Sequence, residues 1–391
     1  MLSPRTGRAD FGLVVEPRFS WASAGEMLAG TGFRVVPDLL PLPDLPQSER
    51  RVPPWVLSAV VLRRIESLLE SMSRRFVVAT ADLSAPRGQV HWARYATTRF
   101  ARGHALSVPC SFPDLRDDEE LRSAIHWTVR RHRESLLTQT AAGIVVRELL
   151  TLCERLIARV AGTSPRVPVG TSRQAWRRRS LPTRVFREGL QAIDWTVDER
   201  GLAGLSDLHG LAWRMDMEQF FEAWVESVAE HAARRSGARL RVGRTESTRV
   251  ALDWKPPHAG SQRSLLPDAV LDRGDVVVVI DAKYKRHAAQ IERLGWNNVD
   301  PDVRELHRAD VLQALAYSTL FDAPRIVACL AYPADIGTWQ RLRDAGRIVS
   351  RASVRSGPRV IELALVAVPL SGQRELAGRA FEELIGSPRV G

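Results

Sequence analysis

The sequence has little cysteine. Its three cysteines, Cys110, Cys153 and Cys329, are odd in number, far apart and not arranged in CxxC pairs. This pattern excludes a disulfide framework, and it lacks the ligand spacing that is typical of a zinc site. We therefore expect the protein to occupy a reducing cytoplasm.

Long hydrophobic runs are also missing. The first residues, MLSPRTGRADFGLVVEP, contain no continuous apolar segment of the signal-peptide type. The longest apolar runs, VVVVI and IELALVAVPL, are far shorter than the ~20 residues of a membrane-spanning helix. We expect a soluble protein that is not exported and has no membrane partner.

Lysine is scarce, since only three of the 56 basic residues are lysines. A GC-rich genome, in which arginine codons are common, is the main explanation. Two of the three nonetheless lie in the segment DAKYK, as Lys283 and Lys285. A compact ammonium and a planar guanidinium are not interchangeable where one point charge must be placed, so arginine would not serve at this position.

The formal net charge of +11 favours a polyanionic partner, of which nucleic acid is the commonest for a soluble protein. Basic residues cluster at 128–133, 173–187 and 233–244. For any one cluster, a solvated helix or loop face remains as good an explanation as phosphate contact.

The length of 391 residues corresponds to two or three domains. We predict a proline-rich N-terminal arm (1–55), an α+β region (56–210) and an α/β domain (211–391). The arm should be irregular and lie outside the core, because proline removes a backbone donor and restricts the preceding residue. Within the α+β region the patterns predict helices at 56–76, 117–137, 141–161 and 198–205, and short strands between 87 and 112.

The last region alternates helices and strands. DMEQFFEAWVESVAEHAARRSG is typical of an amphipathic helix that ends at Gly237, and it is followed by strands, a hairpin and further helices and strands. This alternation predicts a mixed central sheet flanked by helices.

The hairpin LLPDAVLDRGDVVVVIDAKYKRH carries the candidate chemistry. If its turn is DRGD, Leu271 pairs with Val276, and Asp268 becomes a diagonal neighbour of Asp281. Because strand side chains alternate between faces, Asp281 and Lys283 share the face of Asp268. Ala282 then points the other way, although its backbone carbonyl can still face the cluster. A one-residue change of register would separate the two aspartates.

Two neighbouring carboxylates beside a strand otherwise made of valine and isoleucine are unfavourable unless something neutralises them. A Mg²⁺ ion would do so, with Asp268, Asp281 and the Ala282 carbonyl as oxygen ligands, and it would activate a water for attack on phosphorus. Lys283 would orient or deprotonate that water, or stabilise charge on the phosphate. The alternative is an ordinary hairpin with charged ends, whose lysine reaches solvent.

Two flanking helices supply further candidates. Glu222, on the helix before the sheet, is expected to complete the metal site, although an ordinary solvated acidic stripe explains it equally well. Gln313 and Tyr317 lie one helical turn apart downstream, where they could brace Lys283 or the DNA strand. A QxxxY pair alone is more often just a helix surface.

With these motifs in this order, the sequence resembles the PD-(D/E)xK nuclease superfamily and, within it, the McrC family. The segments FFEAWVE, PDAVL, VVVVIDAKYK, DVLQALAYSTLF and CLAYP carry the resemblance, and VPPWVLSAVVLRRIESLL and VPCSFPDLRDDEELRSAI extend it less specifically. It implies a C-terminal nuclease core with a mixed central sheet, preceded by an α+β region that docks on a motor.

The resemblance also implies Mg²⁺-dependent (or Mn²⁺-dependent) endonucleolytic cleavage of double-stranded DNA, together with an AAA+ GTPase or ATPase motor of the McrB type. The sequence has no GxxxxGK[ST] phosphate loop, which fits a subunit that borrows its motor. The basic residues Arg177, Arg178, Arg179 and Lys285 are candidate DNA contacts, although the arginine run could instead meet the motor ring. A stand-alone RecB-like repair nuclease and a non-catalytic DNA-binding scaffold on a degenerate nuclease fold remain as alternatives.

Overall fold

The computed structural model of this chain describes residues 20–39, 53–72, 75–116, 118–178, 183–198, 213–256, 258, 260–285, 287–356 and 359–386. Among these residues, no helix is both long and apolar enough to cross a membrane.

The helices of the described residues are α1 (Trp21–Gly30), α2 (Trp55–Ser71), α3 (Trp92–Arg94), α4 (Glu119–Leu137), α5 (Ile144–Val160), α6 (Gly170–Arg177), α7 (Arg184–Val197), α8 (Met217–Ser236), α9 (His287–Leu294), α10 (Pro301–Ser318), α11 (Ile336–Asp344) and α12 (Arg374–Gly386). The strands are β1 (Asp38–Leu39), β2 (Arg75–Leu83), β3 (Gln89–Val90), β4 (Val108–Arg116), β5 (Trp213–Arg214), β6 (Arg239–Val242), β7 (Val250–Ala251), β8 (Ser264–Leu265), β9 (Ala269–Asp272), β10 (Val276–Ala282), β11 (Arg325–Ala334), β12 (Val349–Ser356) and β13 (Arg359–Pro369).

A six-stranded mixed sheet organises the C-terminal part, in the order β12-β13-β11-β10-β9-β6. The strands β10, β11 and β13 run parallel, and the other neighbouring pairs are antiparallel. The interior strands β10 and β11 are apolar and buried over nearly their whole length, as strands covered on both faces must be. The predicted mixed central sheet is confirmed.

Helices cover both faces of this sheet. Alternate residues of β10, such as Val278 and Ile280, pack in one apolar core with α8 and α12, and Val277 and Val279 pack on the other face against Tyr317 of α10. Helix α8 begins where Asp216 accepts hydrogen bonds from the first-turn amides, and it ends at Gly237 in the left-handed region (φ 70°), as the sequence predicts.

The helices α2, α4, α5 and α7 precede the six-stranded sheet in the sequence and pack around one another. His132 of α4 is fully buried between two hydroxyls, with Nδ1 3.0 Å from Ser58 Oγ of α2 and Nε2 3.0 Å from Thr196 Oγ1 of α7. Because the Thr196 hydroxyl donates to the Ala192 carbonyl, it accepts from Nε2–H, and Nδ1 accepts from Ser58. A neutral imidazole therefore satisfies this polar bridge between three helices.

The N-terminal segment is more ordered than its composition indicates. Residues 21–30 form α1, whose Met27 and Leu28 are buried in the same core as α5 and α8. Gly30 lies against Trp224 of α8, where an added Cβ would come within 2.9 Å of the ring, and its carbonyl accepts from Ser227 Oγ at 2.8 Å. The expectation that this part of the arm lies outside the core is wrong. The placing of the boundaries near 55 and 211 stays a prediction.

Three smaller differences concern element ends. Helix α2 stops at Ser71 rather than at 76, because the chain turns into β2. Residues 92–102, in the stretch expected to form strands, are helical turns between β3 and β4. Helix α7 occupies 184–197 and has Asp198 as its C-cap. The prediction of a helix over 198–205 is therefore wrong at residue 198, and residues 199–205 lie outside the described residues.

Candidate metal-dependent site

The site is built on the β9–β10 hairpin, whose register differs from the predicted one. Leu271 pairs with Val278, not Val276, and Ile280 pairs with Ala269. The turn is shifted by one residue along the chain, since Asp272 pairs with Val277 and the Arg273 amide donates to the Val276 carbonyl at 3.0 Å. Asp272 Oδ1 also accepts from the Gly274 amide. Gly274 has φ 92°, which a residue with a side chain rarely adopts.

This two-residue shift preserves the face of every side chain, because the alternation has a period of two. Continued by one pair, the ladder places Asp268 directly opposite Asp281 rather than diagonal to it. Asp268 Oδ2 accepts from the Ala282 amide at 2.7 Å, and this hydrogen bond fixes the carboxylate beside the end of β10. Ala282 itself packs with the α8 side of the sheet, as predicted.

Lys283 joins the acidic pair to α10. Its Nζ lies 2.9 Å from Asp281 Oδ2 and donates to Gln313 Oε1 at 2.9 Å, while Gln313 Nε2 donates to Tyr317 Oη at 3.0 Å. The structure therefore brings together Asp268, Asp281, Lys283, Gln313 and Tyr317. Because Gln313 and Tyr317 lie one helical turn apart, a continuous chain of hydrogen bonds runs from Lys283 through Gln313 to Tyr317.

The pKa values of Asp268 and Asp281 are both raised. Burial raises the pKa of Asp268 to about 8, with the charges of Asp281 and Glu222 adding to the effect. Burial also raises the pKa of Asp281, against the opposing attraction of Lys283. Burial acts to lower the pKa of Lys283, but the charge of Asp281 and its hydrogen bond, together with the charges of Asp268 and Asp310, outweigh it, and the pKa is raised. Two desolvated carboxylates side by side thus resist being charged together.

The donor set fits a hard divalent cation. Asp281 is almost fully buried, and its Oδ2 accepts no well-aligned hydrogen bond even though the Lys283 ammonium is near. An ion that prefers carboxylate and carbonyl oxygens would satisfy this oxygen and remove the repulsion within the pair. Glu222 on α8 is half-buried, and burial followed by the charges of Glu226 and Asp281 raises its pKa. Within the described part of the chain, however, no three His, Cys, Asp or Glu side chains are already close enough to hold a metal ion.

Asp310 was not among the predicted site residues, and it lies beside the acidic pair and the two lysines. It is 2% exposed, its Oδ1 lies 2.5 Å from Lys285 Nζ, and its Oδ2 accepts from Tyr332 Oη at 3.3 Å. The positions 310, 313 and 317 share one face of α10, so the same helical spacing that pairs Gln313 with Tyr317 was the available signal. Both lysines of DAKYK are therefore held by α10.

Of the predicted basic contacts, Lys285 lies at the candidate site, whereas Arg177 and Arg178 lie on α6 and at its end, in a different part of the molecule. Arg177 ends α6 and pairs with Asp194 of α7 at 2.5 Å, and Arg178 is the exposed residue that follows. Arg179 falls outside the described residues. Their contact with DNA stays a prediction, as does that of Lys285.

Fold and site together define a mixed α/β protein in which a buried acidic pair and a braced lysine meet at one end of a central sheet. The chain belongs to the McrBC 5-methylcytosine restriction system component family, whose model matches residues 55–333. This membership confirms the family resemblance read from the motifs.

Two solved structures from Thermococcus gammatolerans are similar to the chain. One is a half-complex of McrB AAA+ hexamers with bound McrC, at 16% identity and a TM-score of 0.39, covering 93% of this chain and 75% of that one. The other is the McrBC complex, at 17% identity and a TM-score of 0.29, covering 56% of this chain and 60% of that one. No curated protein matches the chain.

Proposed function

We propose that this chain is the nuclease subunit of an McrBC-like restriction system, and that it cleaves double-stranded DNA endonucleolytically with Mg²⁺ or Mn²⁺. One observation carries the proposal: Asp268, Asp281 and Lys283 converge at the end of β10, with Gln313 braced behind the lysine. Membership of a family of restriction-system components supports it. On this proposal the C-terminal part is a PD-(D/E)xK nuclease core.

Different residues of the site would bind the cation and contact the DNA. Asp268, Asp281 and the Ala282 carbonyl would hold the cation, and Glu222 would join them through a water or a side-chain movement. When bound there, a divalent cation would supply an activated water and charge stabilisation for in-line attack on phosphorus. Lys283 is fixed between Asp281 and Gln313, from where its ammonium can donate a hydrogen bond to a phosphate oxygen or to the attacking water.

The decisive experiment measures Mg²⁺-dependent cleavage of methylated plasmid by the full chain with its motor partner and nucleotide. We expect Asp281→Ala and Lys283→Ala to lower the cleavage rate by about 100-fold or more, because the first removes a ligand of the cation and the second removes the ammonium that would donate to the reacting phosphate or water. Asp275→Ala is the matched control, since this aspartate is an exposed residue of the same hairpin and pairs only within its turn. Cleavage by the Asp281 variant at the wild-type rate would show that the site assignment is wrong, whereas a wild-type chain that does not cleave DNA with its motor would favour the non-catalytic scaffold.

We further propose that the partner is an AAA+ GTPase or ATPase of the McrB type, encoded beside this gene. Co-expression and purification through a tag on this chain should recover the motor. If the chain cleaves DNA fully without any nucleotide and recovers no motor, a stand-alone RecB-like nuclease becomes the better description.

A further inference from the structure

A two-stranded ribbon lies between β6 and β9 in the chain and adjoins Asp268 of the candidate site. We name the β-ribbon residues 249–256 and 260–265. Val250 pairs with Leu265 and Ala251 with Ser264, and the pairing continues where the Leu252 amide donates to the Arg263 carbonyl at 2.8 Å. Further out, Trp254 Nε1 donates to the Gln262 carbonyl at 2.7 Å. These bonds give the ribbon a defined two-stranded shape.

The root of the β-ribbon is fixed to the first acidic residue of the site. Buried Thr248 donates from Oγ1 to the Pro267 carbonyl at 2.6 Å, and the Gly243 amide donates to the Asp268 carbonyl at 2.8 Å. An added Cβ at Gly243 would lie 2.8 Å from the Pro267 carbonyl oxygen, so only glycine allows this close approach. Whatever the β-ribbon binds is therefore held in a set position relative to Asp268.

The outer surface of the β-ribbon is basic. Between residues 249 and 265 the sequence has three permanent cations, Arg249, Lys255 and Arg263, and one acid, Asp253. All three cations are exposed, and one of them is the only lysine outside DAKYK. The pairs Arg249–Glu246 and Lys255–Asp253 are exposed ion pairs, which cost little to exchange for a phosphate. Trp254 is 42% exposed and leaves its ring accessible.

We propose that the β-ribbon is a duplex-DNA binding element that enters the major groove and holds the flanking phosphates with Arg249, Lys255 and Arg263. The major groove admits a two-stranded ribbon, and cations facing phosphates supply sequence-independent affinity. This inference rests on the proposed function, because it names the element that presents DNA to the Asp268–Asp281 pair. Its root on Pro267 and Asp268 then sets which phosphate reaches the acids.

The test compares duplex binding by the full-length chain with binding by the triple variant Arg249→Ala/Lys255→Ala/Arg263→Ala. Fluorescence anisotropy of a short labelled duplex is followed in EDTA, so that cleavage plays no part, over a range of KCl concentrations. We expect the variant to bind about tenfold more weakly or worse, and the slope of log affinity against log salt to fall by about two to three, one for each lost phosphate contact.

The matched control removes three exposed arginines from α5, as Arg147→Ala/Arg155→Ala/Arg159→Ala, and changes the net charge equally. It should bind like the wild type. Equal weakening in both variants, unchanged affinity and slope in the ribbon variant, or a wild-type chain that does not bind duplex would each overturn the proposal. So would a ribbon variant that binds DNA normally but no longer recovers the motor, since the β-ribbon would then be a protein contact. Mg²⁺-dependent cleavage by the wild type is scored separately, so a failed ribbon leaves the nuclease proposal standing.

Discussion

Two lysines placed two residues apart meet different acceptors on α10. Lys283 donates to the neutral amide oxygen of Gln313 and lies beside Asp281, whereas Lys285 pairs with the buried Asp310. The first position requires one compact charge between two groups, and the second requires only a cation near a carboxylate. The two lysines should therefore differ in how well they tolerate arginine.

We expect Lys283→Arg to lose about as much DNA cleavage as Lys283→Ala, on the order of 100-fold, because a planar guanidinium cannot occupy the same point between Asp281 and Gln313. Lys285→Arg should keep most of the activity, because a guanidinium can pair with Asp310. Single-turnover cleavage rates at saturating Mg²⁺ measure both. Equal losses at the two positions would show that the distinction is wrong.

At the scale of elements, the His132 bridge makes the packing of α2, α4 and α7 sensitive to pH. Burial lowers the pKa of His132 to about 3, against an ordinary value of about 6.5. As the pH falls, His132 therefore takes up a proton near pH 6.5 in the unfolded chain but only near pH 3 in the folded chain. Stability from the neutral histidine is complete above pH 6.5 and is lost as the pH falls toward 3.

We expect the free energy of unfolding to fall by up to about 1.4 kcal/mol per pH unit below pH 6.5 through His132 alone. His132→Gln can still bond both hydroxyls but does not titrate, so its stability should change less with pH over this interval. Urea unfolding of both proteins at several pH values between 7.5 and 5 makes the comparison. Parallel curves would mean that His132 takes no proton on unfolding.

Elements whose apolar residues recur at a regular spacing were predictable from the sequence, and contacts between distant elements were not. Apolar spacing and caps indicated α4 and α8 because both signals are local. The hairpin faces were right although the register was off by two, since alternation fixes the face while the turn fixes the pairing. Helix α1 was missed because its ten residues lie among prolines and glycines, and its burial depends on α5 and α8. Asp310 begins the segment DVLQALAYSTLF, but it was missed because its role depends on contacts with Lys285 and Tyr332 that the segment alone does not show.

At the scale of the whole molecule, the contacts of α1 connect the N-terminal helices to the sheet domain. Glu26 accepts from the Gly372 amide, and the Gly30 carbonyl accepts from Ser227 and Arg374. Buried Glu226 of α8 pairs with Arg34 and Arg244, one from each side of the contact. One apolar core includes α2, α5, α8 and β10. This continuity predicts that the parts on either side of residue 211 unfold together.

Gly30→Val tests that prediction. A side chain here would press on the Trp224 ring, and overpacking of this kind costs about 1–3 kcal/mol. If the chain unfolds as one unit, hydrogen exchange in increasing urea should show α5 and β10 losing protection at the same concentration, and the substitution should lower both midpoints together. Ala22→Gln, at an exposed position of α1, is the control and should shift them little. If β10 opens at lower urea while α5 stays protected, the two parts are separate folding units, and α1 is a contact between domains rather than part of a shared core.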